Sequence, residues 1–193
     1  MNKAVFLDRD GVINRKARTE DEYITHWEEL VILPGVDQAV AWLNRVGFQV
    51  IIVTNQRGVA KGLITIAQLE SIHERMRQHL ARAGARIHGI YYCPHELDPP
   101  CTCRKPGPGM LLEAARAHNI DLAASWMIGD SEKDVEAGKR AGCRTARLIE
   151  DGKSTDGTAD VVAPSLLAAI HKILSLEEHL AITDLVEPAG VKN

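Results

Sequence analysis

Two aspartates lie one residue apart near the start of the chain, in the run Asp8-Arg9-Asp10-Gly11 that directly follows the apolar segment Ala4–Leu7. If that segment is a strand, its period of two residues points both carboxylates to the same side at the carboxyl end of the strand. Two like charges held this close need a cation. Asp and Gly are also common in ordinary turns after strands, so the pair taken alone leaves that alternative open.

Two other short runs carry groups that suit a phosphate. Thr54 and Asn55 follow a second apolar segment and offer a hydroxyl together with backbone N–H donors. Arg104 and Lys105 precede a helix, and arginine binds phosphate oxygens in bidentate fashion whereas lysine acts as a point charge. Each run has an ordinary alternative, a turn for the first and a charged surface loop for the second.

A further acidic run, Gly129-Asp130-Ser131, follows another apolar segment, and Asp134 lies one helical turn later. Carboxylates in this arrangement suit a metal ion. The same aspartate and serine could instead cap the following helix, and the sequence leaves both interpretations open.

Four soft donor groups crowd between residues 93 and 103, namely Cys93, His95, Cys101 and Cys103. Three thiolates and one imidazole are the number and type of ligand that a tetrahedral structural zinc site requires. Zinc here would fix the loop that leads directly into Arg104 and Lys105, so it would be a structural rather than a catalytic metal. Without a metal these thiols would be small buried groups or reactive surface groups. The remaining cysteine, Cys143, is expected in the core.

The elements that must position these groups are predicted from alternating strand and helix patterns. Strands are predicted at Ala4–Leu7, 47–53, 87–92, 125–128, 145–149 and 160–162, and helices at 34–47, 65–84, from 108, 131–142 and 165–174. Repeated alternation indicates the α/β class, as a Rossmann-like three-layer sandwich with a mainly parallel sheet. Chemistry in such folds lies at the carboxyl ends of the strands, where all the runs above are expected to meet.

Composition narrows the classes of protein. The chain has 193 residues, 45% of them apolar, and a net charge of −3, which favours one domain over residues 1–175 and a tail over 176–193. With 4% aromatic residues and no long run of basic residues, nucleic acid is a poor candidate partner. No apolar run is long enough to span a membrane. We expect a cytoplasmic monomer that acts on a small molecule.

The order D-x-D-G, T-N, R-K-P and G-D-S-x-x-D resembles the haloacid dehalogenase superfamily of phosphohydrolases over nearly the whole chain. The resemblance implies that Asp8 is the nucleophile and that Asp10 is the general acid and base. Thr54 and Lys105 would stabilise the phosphoryl group. Catalytic Mg²⁺ would be held by Asp8, Asp130 and the backbone carbonyl of Asp10.

The runs Y-Y-C-P-H, C-x-C-R-K-P and V-T-N-Q resemble one capless branch of that superfamily, the D-glycero-D-manno-heptose 1,7-bisphosphate 7-phosphatases. This implies removal of the 7-phosphate through an aspartyl-phosphate, in the synthesis of nucleotide-activated heptose for surface glycans. Asn55, Gln56, Arg57 and Arg104 are then expected at the substrate. Histidinol-phosphatases are near relatives, so histidinol phosphate is an alternative substrate. An alternative of another class is a zinc-braced binding domain without catalysis.

Two features depart from that branch. The loop over residues 14–23 is longer than usual and basic in its first half, and Arg57 replaces the usual small residue after T-N-Q. Arg15, Lys16 and Arg18, with Arg57 and Arg104, could meet a second phosphate, which favours a bisphosphate substrate. A role in solubility is the alternative explanation of these charges.

Overall fold

The computed structural model describes residues 1–17, 19, 22–149 and 157–186. The strands are β1 (Ala4–Leu7), β2 (Gln49–Asn55), β3 (Gly89–Cys93), β4 (Trp126–Gly129), β5 (Arg144–Leu148) and β6 (Val161–Ala163). The helices are α1 (Val36–Arg45), α2 (Ile66–Arg82), α3 (Gly109–His118), α4 (Glu132–Ala141) and α5 (Leu166–Val186), with a short 3₁₀ turn at Trp27–Glu29.

The six strands form one parallel sheet in the order β3-β2-β1-β4-β5-β6. Strand β1 is central and pairs with β2 through Ala4 and Gln49 and with β4 through Leu7 and Ile128. The chain adds strands first on one side of β1 and then on the other, which opens a crevice at the carboxyl ends of β1 and β4. The fold class predicted from the sequence is confirmed.

Helices cover both faces of the sheet because β1 is apolar at every position. Val5 and Leu7 face the layer formed by α1, α2 and α5, whereas Ala4 and Phe6 face α3 and α4. All four side chains have no accessible surface. Burial on both faces is typical of strands in parallel sheets and explains why β1 reads as a continuous apolar run rather than an alternating one.

Local signals place several element ends correctly. The side chains of Thr65 and Gln68 cap the first turn of α2 reciprocally, as their spacing predicts.

The predicted second strand begins two residues too early, since Gly47 has a positive φ of 87° and belongs to the turn after α1. Helix α5 continues past the expected end at Leu174. Among the described residues, no helix has the length and apolarity needed to cross a bilayer.

Candidate active site

The polar runs found in the sequence meet at the carboxyl edge of the central strands. Asp8 follows β1, and its backbone N–H donates to the carbonyl of Ile128 at 3.0 Å, which continues the pairing with β4. Thr54 lies at the end of β2, and Asp130 follows β4. Lys105 enters from the loop between β3 and α3. The topology therefore brings residues from four segments of the chain into one crevice.

Lys105 is the centre of this arrangement, although only 2% of its side chain is exposed. Its Nζ lies 2.9 Å from Oδ1 of Asp8 and 2.6 Å from Oδ1 of Asp134, and it donates to the carbonyl of Val53 at 2.9 Å. Burial works to lower the pKa of this ammonium, but Asp134 and Asp8 more than offset it and raise the pKa to about 12. Its three N–H donors therefore hold the nucleophile candidate and α4 in place.

Three carboxylates offer a site for a hard cation beside Lys105. One oxygen each from Asp8, Asp130 and Asp134 can be chosen so that all three lie within 4.8 Å of one another. Burial raises the pKa of Asp8 to about 7, against the lowering effect of Lys105, and Asp134 raises it further. Lys16 reaches Asp130 Oδ2 with its Nζ at 2.8 Å. Three clustered carboxylates carry more negative charge than the two neighbouring lysines neutralise, and such a cluster fits Mg²⁺.

Asp134 has two roles at once, which resolves the alternatives left open by its sequence position. Its Oδ2 accepts hydrogen bonds from the backbone N–H of Ser131 at 3.1 Å and from the Ser131 hydroxyl at 2.6 Å, so it completes the cap of α4. Its Oδ1 contacts Lys105. This approach requires glycine at position 129, where a Cβ would lie 2.1 Å from the Cβ of Asp134. The glycine of the G-D-S run is thus a packing requirement of the site.

Asp10 is held by several donors. Its Oδ1 accepts from Asn14 Nδ2 at 2.9 Å and its Oδ2 from Gln56 Nε2 at 3.0 Å, while the Arg9 guanidinium binds both oxygens. Burial works to raise the pKa of Asp10, but Arg9 and these hydrogen bonds hold it below its ordinary value. Gln56 also donates to Thr54 Oγ1 at 2.9 Å. Asp10 is therefore a fixed carboxylate linked to the end of β2.

The residues expected at the substrate from the sequence all have protein partners in this structure. Asn55 exchanges two hydrogen bonds of 3.1 Å with the backbone of Lys105, so it fastens the basic loop to β2. Arg57 pairs with Glu96. Arg104 donates to the carbonyl of His95 at 2.7 Å. These contacts assemble the crevice, and direct contact of Asn55, Gln56, Arg57 and Arg104 with substrate stays a prediction.

The cysteine loop brings its four donor atoms together as the spacing predicts. The sulfur of Cys101 lies 3.5 Å from those of Cys93 and Cys103, and His95 Nδ1 lies 3.2 Å from the Cys103 sulfur. A zinc tetrahedron with Zn–S bonds of about 2.3 Å has S···S edges of about 3.8 Å. The four cysteines of the chain are all free, and Cys143 is buried in the core. The donor set and its spacing fit one structural zinc ion.

A cavity of about 790 Å³ adjoins Asp130, one of the three carboxylates. Arg15, Lys16 and Asp130 line one wall, and Arg147 and Ser165 lie on the side formed by β5 and α5. A volume of this order can hold a small phosphorylated molecule. Arg18, also expected near a second phosphate, lies outside the described residues.

Comparison with known proteins decides the family. A family model described as HAD-hydrolase-like matches residues 102–170. The D-glycero-beta-D-manno-heptose-1,7-bisphosphate 7-phosphatase of Bordetella bronchiseptica is 42% identical over 178 residues, which cover 92% of this chain and 97% of that protein. The chain belongs to the haloacid dehalogenase superfamily of phosphatases. The enzyme of the same name from Escherichia coli K12 is 39% identical, covering 86% of this phosphatase and 89% of its relative.

The solved structures agree with this assignment. The D,D-heptose 1,7-bisphosphate phosphatase of B. bronchiseptica, crystallised with magnesium and phosphate, superposes with a TM-score of 0.79 at 36% identity. The match covers 90% of this phosphatase and 99% of that chain. The protein is a phosphoric monoester hydrolase, as the residue pattern predicted.

We expect His73 to make the stability of this phosphatase depend on pH. Burial, with the Arg9 charge beside it, lowers the pKa of His73 to about 3. Between that value and the unfolded pKa of about 6.5, the unfolded state binds the extra proton, so stability is lost as the pH falls. Lowering the pH from 7 to 5 should cost roughly 2 kcal/mol through this one group.

Urea unfolding at the two pH values measures this loss. His73→Gln removes the titrating ring, so its stability should fall with pH by less than that of the natural protein, and His79→Gln on the exposed face of α2 is the matched control. Equal losses in the His73→Gln variant and the natural protein would contradict the assignment.

Proposed function

We propose that this phosphatase removes the 7-phosphate of D-glycero-D-manno-heptose 1,7-bisphosphate in a Mg²⁺-dependent reaction through an aspartyl-phosphate on Asp8. The observation that carries the mechanism is the position of Asp8, at the carboxyl end of the central strand and 2.9 Å from a buried lysine. The named activities of relatives at 42% and 39% identity support the substrate. The proposed product serves the synthesis of nucleotide-activated heptose for surface glycans.

Asp8, Asp130 and the backbone carbonyl of Asp10 would hold the magnesium ion, with Asp134 close enough to assist. When bound, Mg²⁺ reduces the repulsion between the nucleophilic carboxylate and the phosphate dianion and aligns the reacting oxygens. Lys16, which pairs with Asp130 and lines the same cavity, adds an exposed positive charge there. The three clustered carboxylates support this placement through their shared need for a cation.

The protein groups divide the hydrolysis into two transfers. Asp8 attacks the phosphorus, and Lys105 and the Thr54 hydroxyl stabilise charge on the phosphoryl oxygens. Because Arg9 and its hydrogen bonds hold Asp10 as a carboxylate, Asp10 must take up a proton as the phosphate dianion binds. It gives that proton to the departing alkoxide and, as a carboxylate again, accepts one from the water that attacks the aspartyl-phosphate. Because all three donors of Lys105 are engaged in this structure, bound phosphate must replace one of its present acceptors.

The substrate is tested by comparing kcat/KM for both anomers of heptose 1,7-bisphosphate with that for histidinol phosphate. The proposal expects a heptose bisphosphate to be preferred, since Arg15 and Lys16 at the cavity wall provide positive charge for a second phosphate. A preference for histidinol phosphate would overturn the substrate and leave the mechanism standing. Absence of Mg²⁺-dependent phosphate release from every phosphomonoester tried would instead favour the binding-domain alternative.

We also propose that Cys93, His95, Cys101 and Cys103 bind one structural zinc ion. Zinc would fix the loop that carries Lys105, and the metal-binding free energy would add directly to folding stability. Strong chelation should therefore remove about one zinc ion per chain and lower the melting temperature by several degrees.

Two cysteine variants distinguish loss of zinc binding from the effect of replacing any buried cysteine. Cys101→Ser should lose zinc and stability together, whereas Cys143→Ala should keep full zinc content because Cys143 is not one of the four clustered donor groups. Purified protein without stoichiometric zinc, with a melting temperature unchanged by chelator, would refute the site.

A further inference from the structure

Arg9, the residue between the two aspartates, has a buried side chain with 1% exposure. Its Nη2 lies 3.1 and 3.0 Å from the two carboxylate oxygens of Asp10, and its Nε lies 3.3 Å from Oδ1. A planar guanidinium in this bidentate arrangement fixes the plane of a carboxylate as well as its distance. Arg9, together with Asn14 and Gln56, therefore fixes the orientation of the Asp10 carboxylate, and Arg9 is the charged member of the three.

Helix α2 holds the other end of Arg9. Arg9 Nη1 lies 3.1 Å from Nε2 of His73, which is 4% exposed. Arginine has no acceptor, so Nε2 must accept this hydrogen bond and the imidazole is neutral with its proton on Nδ1. The ring packs at 5.7 Å from the ring of Tyr92, whose hydroxyl donates to Glu70 on the same helix at 3.0 Å.

We propose that Arg9 and His73 are positioning residues that fix the Asp10 carboxylate for proton transfer to the leaving group. This rests on the role of Asp10 given in the proposed function. A carboxylate on two rotatable bonds has several orientations, and holding a proton donor in one of them is the condition for efficient acid catalysis. A buried arginine is a costly way to stabilise a fold, since replacement of such ion pairs by apolar residues is often neutral or stabilising.

Leaving groups of different basicity isolate proton transfer from the rest of the reaction. An alkoxide needs a proton to depart, whereas nitrophenolate departs without one. The measurement is the single-turnover rate of alcohol or nitrophenolate release with excess enzyme. Two substrates are compared: p-nitrophenyl phosphate, and whichever of heptose 1,7-bisphosphate and histidinol phosphate has the higher kcat/KM.

The variants are Asp10→Asn, Arg9→Met, Arg9→Lys, His73→Leu and His73→Gln, with His79→Gln as the matched control on α2. General acid catalysis contributes about 10²–10⁴-fold, so Arg9→Met and His73→Leu should slow alkyl phosphate cleavage about 10-fold more than nitrophenyl phosphate cleavage. Arg9→Lys keeps the charge without the planar pair of donors and should behave like Arg9→Met. His73→Gln keeps an acceptor for Arg9 and should restore most of the rate.

The outcomes separate this inference from the function it rests on. If Asp10→Asn slows the alkyl substrate selectively but the Arg9 and His73 variants slow both substrates equally, the positioning role is overturned and the proposed function stands. If Asp10→Asn itself slows both substrates equally, the acid–base role assigned to Asp10 fails. Urea unfolding of each variant verifies that the rates refer to folded protein.

Discussion

Asp8→Asn is expected to abolish phosphate release, with a loss in kcat of about 10⁴-fold or more. The substitution keeps the size of the side chain and its place beside Lys105 but removes the carboxylate that attacks phosphorus. Steady-state release of inorganic phosphate at saturating Mg²⁺ measures the effect. Since burial already raises the pKa of Asp8 to about 7, a neutral amide should be tolerated by the fold.

The control for Asp8→Asn is the free energy of unfolding measured in urea, which should stay near that of the natural protein. Asn2→Asp, just before β1 and so at the amino edge of the sheet, away from the crevice at its carboxyl edge, reports the effect of a change between the same two residue types. Retention of more than about one hundredth of the natural kcat in Asp8→Asn would contradict nucleophilic attack by this residue.

Lys105→Met is expected to reduce both stability and turnover. It removes the ammonium that lies 2.9 Å from Asp8 and 2.6 Å from Asp134 and leaves two carboxylates without a cation. Breaking a buried ion pair on one side costs about 3–5 kcal/mol. Loss of a donor to the phosphoryl oxygens should lower kcat by about 10²–10³-fold.

A double-mutant cycle separates the two effects of Lys105. Asp134→Asn in the Lys105→Met background removes one of the stranded charges, so it should recover part of the stability while leaving kcat low. Saturating Mg²⁺ should also recover part of the stability of Lys105→Met, because the cation neutralises charge on the same carboxylates. If Lys105→Met alone were as stable as the natural protein in the absence of Mg²⁺, Lys105 would not be needed to balance the charges of Asp8 and Asp134.

Local sequence patterns were enough to predict the strands, helices and turns that position the site residues. The strand ending at Leu7, the capped helix at Thr65 and the acidic turn at Asp130 are each signalled by neighbouring residues. Because parallel strands share one carboxyl edge, the convergence of these runs followed from the alternation of strands and helices. The order of the motifs along the chain then indicated the superfamily, which the comparisons confirm.

Contacts between distant segments were not predictable in this way. Arg9 and His73 are 64 residues apart in sequence, and the period-two argument for the aspartates says nothing about the residue between them. Gln56 was expected at the substrate because it follows β2, yet its amide bonds Asp10 and Thr54. Such partners depend on how loops fold over the sheet, which no local pattern encodes.

The same reason applies to the end of α5. The apolar pattern weakens after Leu174, and the sequence therefore predicted that the helix stops there. In the structure Glu177 accepts a hydrogen bond from Trp126 Nε1 at 3.2 Å and pairs with Arg144. A polar contact to β4 and β5 thus stabilises a helical turn that apolar periodicity does not signal.

Trapping the phosphoryl group tests the central claim most directly. Enzyme mixed with substrate and Mg²⁺ is quenched in acid within one turnover and digested, and the peptide that carries the phosphoryl group is identified by mass spectrometry. With p-nitrophenyl phosphate as the substrate, whose leaving group needs no proton, only hydrolysis of the intermediate is slowed in Asp10→Asn. We therefore expect the group on Asp8, in larger amount in Asp10→Asn, and absent in Asp8→Asn. A phosphoryl group on any other residue, or full turnover without a trapped intermediate in Asp10→Asn, would contradict the account.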